Sequence, residues 1–453
     1  MRIRTAAASR AIESQLTEII LDVYSRPMVP RRVRLAALAA VTLLALAFGS
    51  SAGAEVQTLV FHSQPVTAKP YEATQAVQLV DSPNVDGYVT GMSADIVDEN
   101  GNVVPNNHVM LHHVVFAKVG TPDYTCGGIN GYPAQRFWAE GEEHYALTLP
   151  DGLGYPNRAS DRWGMLTMLM NHHAHSMKVS VRYTVRYVTD ESLAPVHPIW
   201  LDIHDCSADP IFDVPGTGGR GSTYSRHTDL KIRESGRLVT AGGHLHGGGI
   251  NLELSDQTCG RRLFTSLPSW GGPMPLPLMH EPGPSHMSSF ASPIGIPVAA
   301  GDTLRLTAVY DNSRPHTRVM GIMIAYLTPT LVSGCEPIPA LTLDLGNPGP
   351  PPKITVPLLR KPSGPLRKNI RSTWVGDYRY GAQRVTVKRG TTFTWRFIGS
   401  VDHDVTLASG PEGFSSRSMR GGATYRHRLT RRGTYKLFCS LHPMRMTQII
   451  TVR

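Results

Sequence analysis

Charged side chains are sparse in this chain: Asp, Glu, Lys and Arg make up 18% of 453 residues. Beyond the N-terminus no apolar run has a helical period, and no segment is long enough to cross a bilayer. No block of Lys and Arg interleaved with aromatics occurs. The net charge of +10 therefore reads as general surface character, and nucleic acid is not an expected partner. No internal repeat is visible. Hydrophobic residues, by contrast, reach 41%, with 43 glycines and 35 prolines. That combination points to large cores built from short strands and turns, an all-β architecture.

The N-terminus carries an address. Arg31, Arg32 and Arg34 precede an apolar run from Leu35 to Phe48, followed by Ala52-Gly53-Ala54. A basic stretch, an apolar stretch too short to span, and a small-x-small cleavage signal make a secretory signal peptide. The basic stretch normally sits near the start, so Met28 reads as the initiator and residues 1–54 as extension plus signal. The mature chain is expected to begin near Glu55, secreted or at the cell surface, with no integral span once the signal is removed. Outside the cytosol disulfides are permitted. Cys439 sits in a metal motif, leaving Cys126, Cys206, Cys259 and Cys335. Four cysteines allow three pairings and sequence cannot choose among them; the preferred expectation is Cys206–Cys335 with Cys126–Cys259.

From Val56 to about Pro337 apolar and polar residues alternate between turn signals, as in Val179–Val185 and Leu304–Tyr310. The stretch is too long for one small sandwich and divides near residue 190, into 55–190 and 191–345. Residues 346–371, with the run Asn-Pro-Gly-Pro-Pro-Pro-Lys from Asn347, form a stiff linker. Strands resume in 372–453, for example Arg384–Val387 and Thr392–Phe397.

The C-terminal unit holds a ligand set. Tyr435 to Met446 ends one strand and carries Cys439, His442, Met444 and Met446; upstream lies Val401-Asp402-His403-Asp404-Val405. One thiolate, two imidazoles and a thioether suit a copper that cycles between Cu(I) and Cu(II). Grouping three of them on one loop keeps the site rigid. The pattern resembles the plastocyanin and amicyanin type of cupredoxin. The resemblance implies a Greek-key β-sandwich with one type 1 copper on His403, Cys439, His442 and Met446. Met446 is favoured over Met444 because it leaves room for Pro443 to turn.

Three histidine motifs lie upstream: His108-Val109-Met110-Leu111-His112-His113, Asn171-His172-His173-Ala174-His175 and His244-Leu245-His246 in a glycine-rich setting. A strand-like segment then carries Met320 and Met323. His244 and His246, two apart on a strand, present both imidazoles to one face. Their glycines let other groups approach closely. A thioether nearby completes a soft site of two nitrogens and one sulfur. Adjacent His112 and His113 point to opposite faces of a flat strand, so both reach one metal only through twist or a bulge. The order His-His, lone His, His-x-His, Met resembles the ascorbate-dependent type II copper monooxygenases, the peptidylglycine hydroxylating and dopamine β-monooxygenase family, over roughly residues 75–340.

That resemblance implies two jelly-roll-like β-sandwiches, each with one copper facing a cleft. His112, His113 and His172 would hold the electron-donating copper. His244, His246 and Met320, with Met323 as fallback, would hold the copper that binds oxygen and substrate. At the positions that grip a substrate carboxylate in peptide-amidating members stand Gly242, Ile322 and Ile324, so a small, more apolar substrate is expected. His173 and His175 are extra ligands or exposed neighbours. His108, His144, His204, His227, His280 and His316 are read as structural or surface residues. The expectation is a secreted copper monooxygenase using molecular oxygen and an external reductant, with two type 2 coppers and a fused blue-copper unit relaying electrons. The alternative is a non-catalytic copper-binding or electron-transfer protein of the cell exterior.

Overall fold

The computed structural model describes residues 55–129, 132–189, 192–204, 206, 209–270, 281–347 and 359–453. The expected signal segment, residues 348–358 of the expected linker and His280 lie outside them. Among the described residues every helix or strand assigned is a strand, as the alternation predicts. No helix there is long and apolar enough to cross a membrane.

The sheets fall into three successive pairs. Strands between Gln57 and Pro195 make a seven-stranded sheet and the four-stranded sheet Ala73–Val80, Trp163–Asn171, Val109–Val119, Ala134–Gly141. Strands between His197 and Asp344 make a five-stranded and a four-stranded sheet, with two small ribbons. Strands from Leu366 to Val452 make a five-stranded and a four-stranded sheet. The strand Ala194–Pro195 still pairs with the first unit, parallel to Leu153–Asn157.

Alternation builds each core. In Met177–Val188 the buried side chains Val179, Val181, Tyr183, Val185 and Tyr187 fill the first sandwich. They meet Phe116, whose ring lies 5.0 Å from Tyr183 and 5.5 Å from Trp138. Aromatic pairs of this kind add about 0.5–1.5 kcal/mol each beyond the area they bury. The first two sandwiches are not independent: Trp200, Val239, Ile324 and Tyr326 of the second belong to the first one's core. The Tyr326 hydroxyl donates to the Phe137 carbonyl at 2.6 Å, and that of Thr125 to the Trp200 carbonyl at 2.6 Å.

The disulfides correct the expected pairing. Cys126 joins Cys206 and Cys259 joins Cys335, not Cys206–Cys335 and Cys126–Cys259. The reason is local. Thr125 is tied to Trp200, which sets Cys126 beside the end of the strand His197–Asp202, where Asp202 accepts the Cys206 N–H. Arg261, two residues after Cys259, donates to the carbonyl of Glu336, the neighbour of Cys335. The first bridge therefore staples the two sandwiches together, and the second closes the edge of one.

The sequence separation of 76 residues makes the second bridge worth roughly 4 kcal/mol on a chain-entropy account. Replacing Cys259 and Cys335 together with alanine should lower the unfolding free energy by about that amount, measured by chemical denaturation. The spectroscopic signature of a copper at Cys439 should be unchanged.

Candidate copper centres and the cavities between them

In the C-terminal unit the strand Gly433–Phe438 delivers Cys439 to a tight loop, and Thr447–Val452 resumes the sheet. His403 is fixed from the other side by two backbone hydrogen bonds with Met419. The ligand atoms of His403, Cys439 and His442 all lie within 4.8 Å of one another, and all three residues are buried. The two Nδ1 atoms are 3.1 Å apart, and Cys439 Sγ lies 3.8 and 3.6 Å from them. Met446 is fully buried in the same core as Cys439, while Arg445 is exposed and Met444 half-buried. Asp404 clamps the loops: its carboxylate accepts from Ser440 N–H at 2.9 Å and Ser440 Oγ at 2.5 Å, and its N–H donates to Cys439 Sγ at 3.4 Å. Burial, then His403 and Arg445, pulls His442 down to about 3. Burial, then Asp404, pushes the Cys439 thiol up. These donors are thus held neutral, and a thiophilic cation bound there would displace the thiol proton.

The upstream histidines depend on a bulge. Between Leu111 and His113 the register of Val109–Val119 against Trp163–Asn171 shifts, leaving His112 as the extra residue. That is the device needed to turn both imidazoles the same way. His112 Nδ1 and His113 Nδ1 are 3.0 Å apart. On the second sandwich the strand Gly236–Leu245 buries Leu245 in its own core and turns His244 and His246 outward. His244 pairs with Ile322 and Leu245 with Gly321, so the next register position sets Met320 beside His246. The Tyr310 hydroxyl fixes that pairing: it accepts the His246 N–H at 2.9 Å and donates to the Met320 carbonyl at 2.5 Å. Met323 is fully buried among Leu201, Leu245 and Ala325 and takes no part.

The two histidine pairs meet. The His112 and His246 rings are 5.0 Å apart and those of His244 and His246 are 5.1 Å apart. The His172 N–H bonds the His108 carbonyl. The His108 and His173 rings lie 4.2 Å apart, tilted by 57°, and His175 is exposed. Of the expected trio, His112 and His113 lie side by side at the bulge.

Carboxylates that the sequence reading did not single out support this cluster. Glu143 holds His244 Nδ1 at 2.9 Å, and the opposite atom, His244 Nε2, is buried with no hydrogen-bond partner. A carboxylate on one ring nitrogen and an unsatisfied second nitrogen is the arrangement of a metal-ligating histidine. Burial pulls His244 down, yet Glu143 outweighs it and leaves it above its ordinary value. His113 is driven down to about 3 by burial and by His244. Glu142 lies 3.8 Å from His112 Nε2. The acidic run Glu140-Gly141-Glu142-Glu143 was the available signal. His316 is likewise buried rather than a surface residue, with Nδ1 2.9 Å from Glu281.

Two cavities open from the cluster and share Met320. The first is walled by apolar side chains including Val115, Leu166, Ile322 and Ile324, together with His113, His244 and Gly242. The second has His112, His246 and His316 on one side. Leu407, Phe438 and Ser440 of the C-terminal unit close the other side.

A family model described as "Stress up-regulated Nod 19" matches residues 167–329. The chain is 28% identical over 280 residues to "Probable copper-dependent oxygenase M1" of Phoma sp., covering 57% of this chain and 67% of that protein. It is 27% identical over 268 residues to "Probable copper-dependent oxygenase clz3" of Cochliobolus lunatus, covering 54% and 80%. Among solved structures it is similar to "Novel Purple Cupredoxin from Nitrosopumilus maritimus", at 26% identity over 18% of this chain and all of that one, with a TM-score of 0.17. An oxidised amicyanin variant matches at 24% identity over 18% of this chain and 80% of its own, also with a TM-score of 0.17.

Removing the Tyr310 hydroxyl tests the pairing it holds. Tyr310→Phe should leave copper at Cys439 intact and weaken Cu(I) at the His244/His246 centre about tenfold or more, read by chelator competition. Glu143→Gln should weaken the same centre by roughly 10- to 100-fold.

Proposed function

We propose that this chain is a secreted copper monooxygenase that hydroxylates a C–H bond of a small, largely apolar substrate. A C-terminal blue-copper unit serves it as electron relay. The observation that carries the reading is Met320, which lies where the apolar cavity, the His112/His113/His244/His246 cluster and the cavity facing the Cys439 loop all meet. The relatives named probable copper-dependent oxygenases support the copper and oxygenase parts. The two disulfides fit an exported protein. The domain reading is 55–190 and 191–345 for the oxygenase, 346–371 for the linker and 372–453 for the relay.

The donor set fits copper. His403, Cys439, His442 and Met446 would hold a type 1 ion; His244, His246 and Met320 would hold the oxygen- and substrate-binding ion. His112 and His113, with His172 as the third expected donor, would hold the electron-donating one. Copper in these places supplies one-electron redox chemistry and oxygen activation. The chain's own residues do the rest. Glu143 orients His244, and Tyr310 fixes the His246–Met320 pair. Ile322 and Ile324, the register neighbours of His244 and Gly242, give the apolar wall against which a C–H bond can be placed.

The relay is held in place rather than tethered alone. Asp213 accepts from Ser415 N–H and Oγ at 2.7 Å each and from Arg318 N–H at 3.0 Å. Arg318 reaches on to the Ser416 carbonyl at 2.9 Å. On the other flank the Ala73 N–H donates to the Leu441 carbonyl at 3.1 Å, beside His442.

Metal analysis with absorption and EPR spectra should count three coppers per chain, one blue and two colourless. Met320→Ala should abolish reductant-dependent oxygen consumption and keep the blue colour. One copper per chain would instead favour a non-catalytic electron-transfer protein.

A further inference from the structure

Among the described residues the apolar cavity has one strong cation in its wall. Arg136 lies on the strand Ala134–Gly141, is 3% exposed, and lines the cavity with His113, His244 and Met320. Its Nε donates to Asp123 at 2.8 Å, and its guanidinium lies 4.4 Å from the centre of the Trp200 ring. Its Nη2 is buried and makes no hydrogen bond. Leaving such a donor unsatisfied costs more than an ordinary hydrogen bond returns, so the position calls for a partner. Asp123 cannot supply it. One of its oxygens already accepts from Thr125 N–H and Cys126 N–H, and the other from Arg136 itself.

We propose that Arg136 is the polar anchor for the substrate, donating from Nη2 to a neutral acceptor oxygen, a ketone, ester or phenol, on an otherwise apolar skeleton. This rests on the reading of the apolar cavity as the substrate site.

Charge selects the neutral class. Asp123 already balances Arg136, and Asp202 lies close enough to feel its charge, held up mainly by burial. Glu140 and Glu143 add acidity to the same wall. A carboxylate brought into this environment would be an additional buried anion without a cation to pair with. A carbonyl or phenol oxygen takes the idle N–H without adding charge.

Register sets the length. Arg136 pairs with Ala117, and Gly141 pairs with His113. Along the partner strand the two positions are four residues, roughly 13 Å, apart, because Phe137 is the extra residue of a bulge. The ligand is therefore elongated, with its oxygen far from the bond placed at the histidine cluster.

The test uses the copper-loaded full chain and three matched probes: butylbenzene, benzylacetone, which puts a carbonyl into the same skeleton, and hydrocinnamate. Isothermal titration calorimetry should show benzylacetone binding about tenfold tighter than butylbenzene, the difference a hydrogen bond from a charged donor makes. In Arg136→Met that advantage should vanish while butylbenzene binds as before. The paired variant Asp123→Asn with Arg136→Met removes both charges together, so that a buried lone carboxylate does not unfold the protein; it should behave the same way. Equal affinity for ketone and hydrocarbon in the unmodified protein overturns the anchor, and so does an advantage that survives in the paired variant. Tighter binding of hydrocinnamate than of benzylacetone overturns the neutral class. Failure of all three probes to bind overturns the cavity reading, and the anchor with it.

Discussion

A single hydroxyl holds the central part of this protein to its geometry. Tyr310 is fully buried, and burial pushes its ionisation far above the ordinary range. It therefore stays protonated, with one hydrogen to give and lone pairs to receive. It gives to the Met320 carbonyl and receives from the His246 N–H, both at chain positions just beyond the last paired residues Gly321 and Leu245. Strand ends fray unless something satisfies their backbone groups. Without this bridge the imidazole and the thioether would sit on two loose ends; with it they share one position, and the two cavities share one junction.

The rest of the cluster follows from how closely the first two sandwiches approach. A side chain at Gly141 would strike the His244 ring, and one at Gly242 would strike Tyr145. Bare backbone on both faces lets Glu143 reach His244 and His112 reach His246. The disulfide Cys126–Cys206 and the Tyr326 and Thr125 hydroxyls hold the faces at that separation. Closeness brings donors together that the order of motifs assigns to different centres. It also encloses an apolar space next to them rather than a wide solvent gap.

The C-terminal unit packs on the same junction. Met110, Met168 and Met170 of the first sandwich belong to the core that also contains Cys439, Leu441 and Met446. Thioether side chains adapt to irregular surfaces, which suits a contact between separate sandwiches. Arg318, at a left-handed φ of 57°, turns its guanidinium among Asp209, Asp213 and Asp404 while its backbone meets Asp213. Only Val319 separates it from Met320, so the latch of the C-terminal unit and the junction of the cavities lie on one short stretch of chain.

Periodicity and ligand chemistry, both local, were legible in the sequence alone. Alternation announced the strands around Val179 and Leu304, and the all-β class with them. Cys439, His442 and Met446 share one loop, so their convergence needed only His403 from afar. His244 and His246 were bound to share a face because a strand repeats every two residues. The sequence even stated the condition for His112 and His113, a bulge, without being able to say that one forms. Tertiary structure decided everything that depends on long-range approach. It paired the cysteines, because only packing brings Thr125 to Trp200 and Arg261 to Glu336. It sent Met323 into a core and Met320 to the junction, a choice set by one residue of register. It placed Glu143, Glu281 and Arg136 at the cavities. Such contacts join positions as far apart as Phe137 and Tyr326, and no local pattern of residues encodes which distant backbone will lie against them.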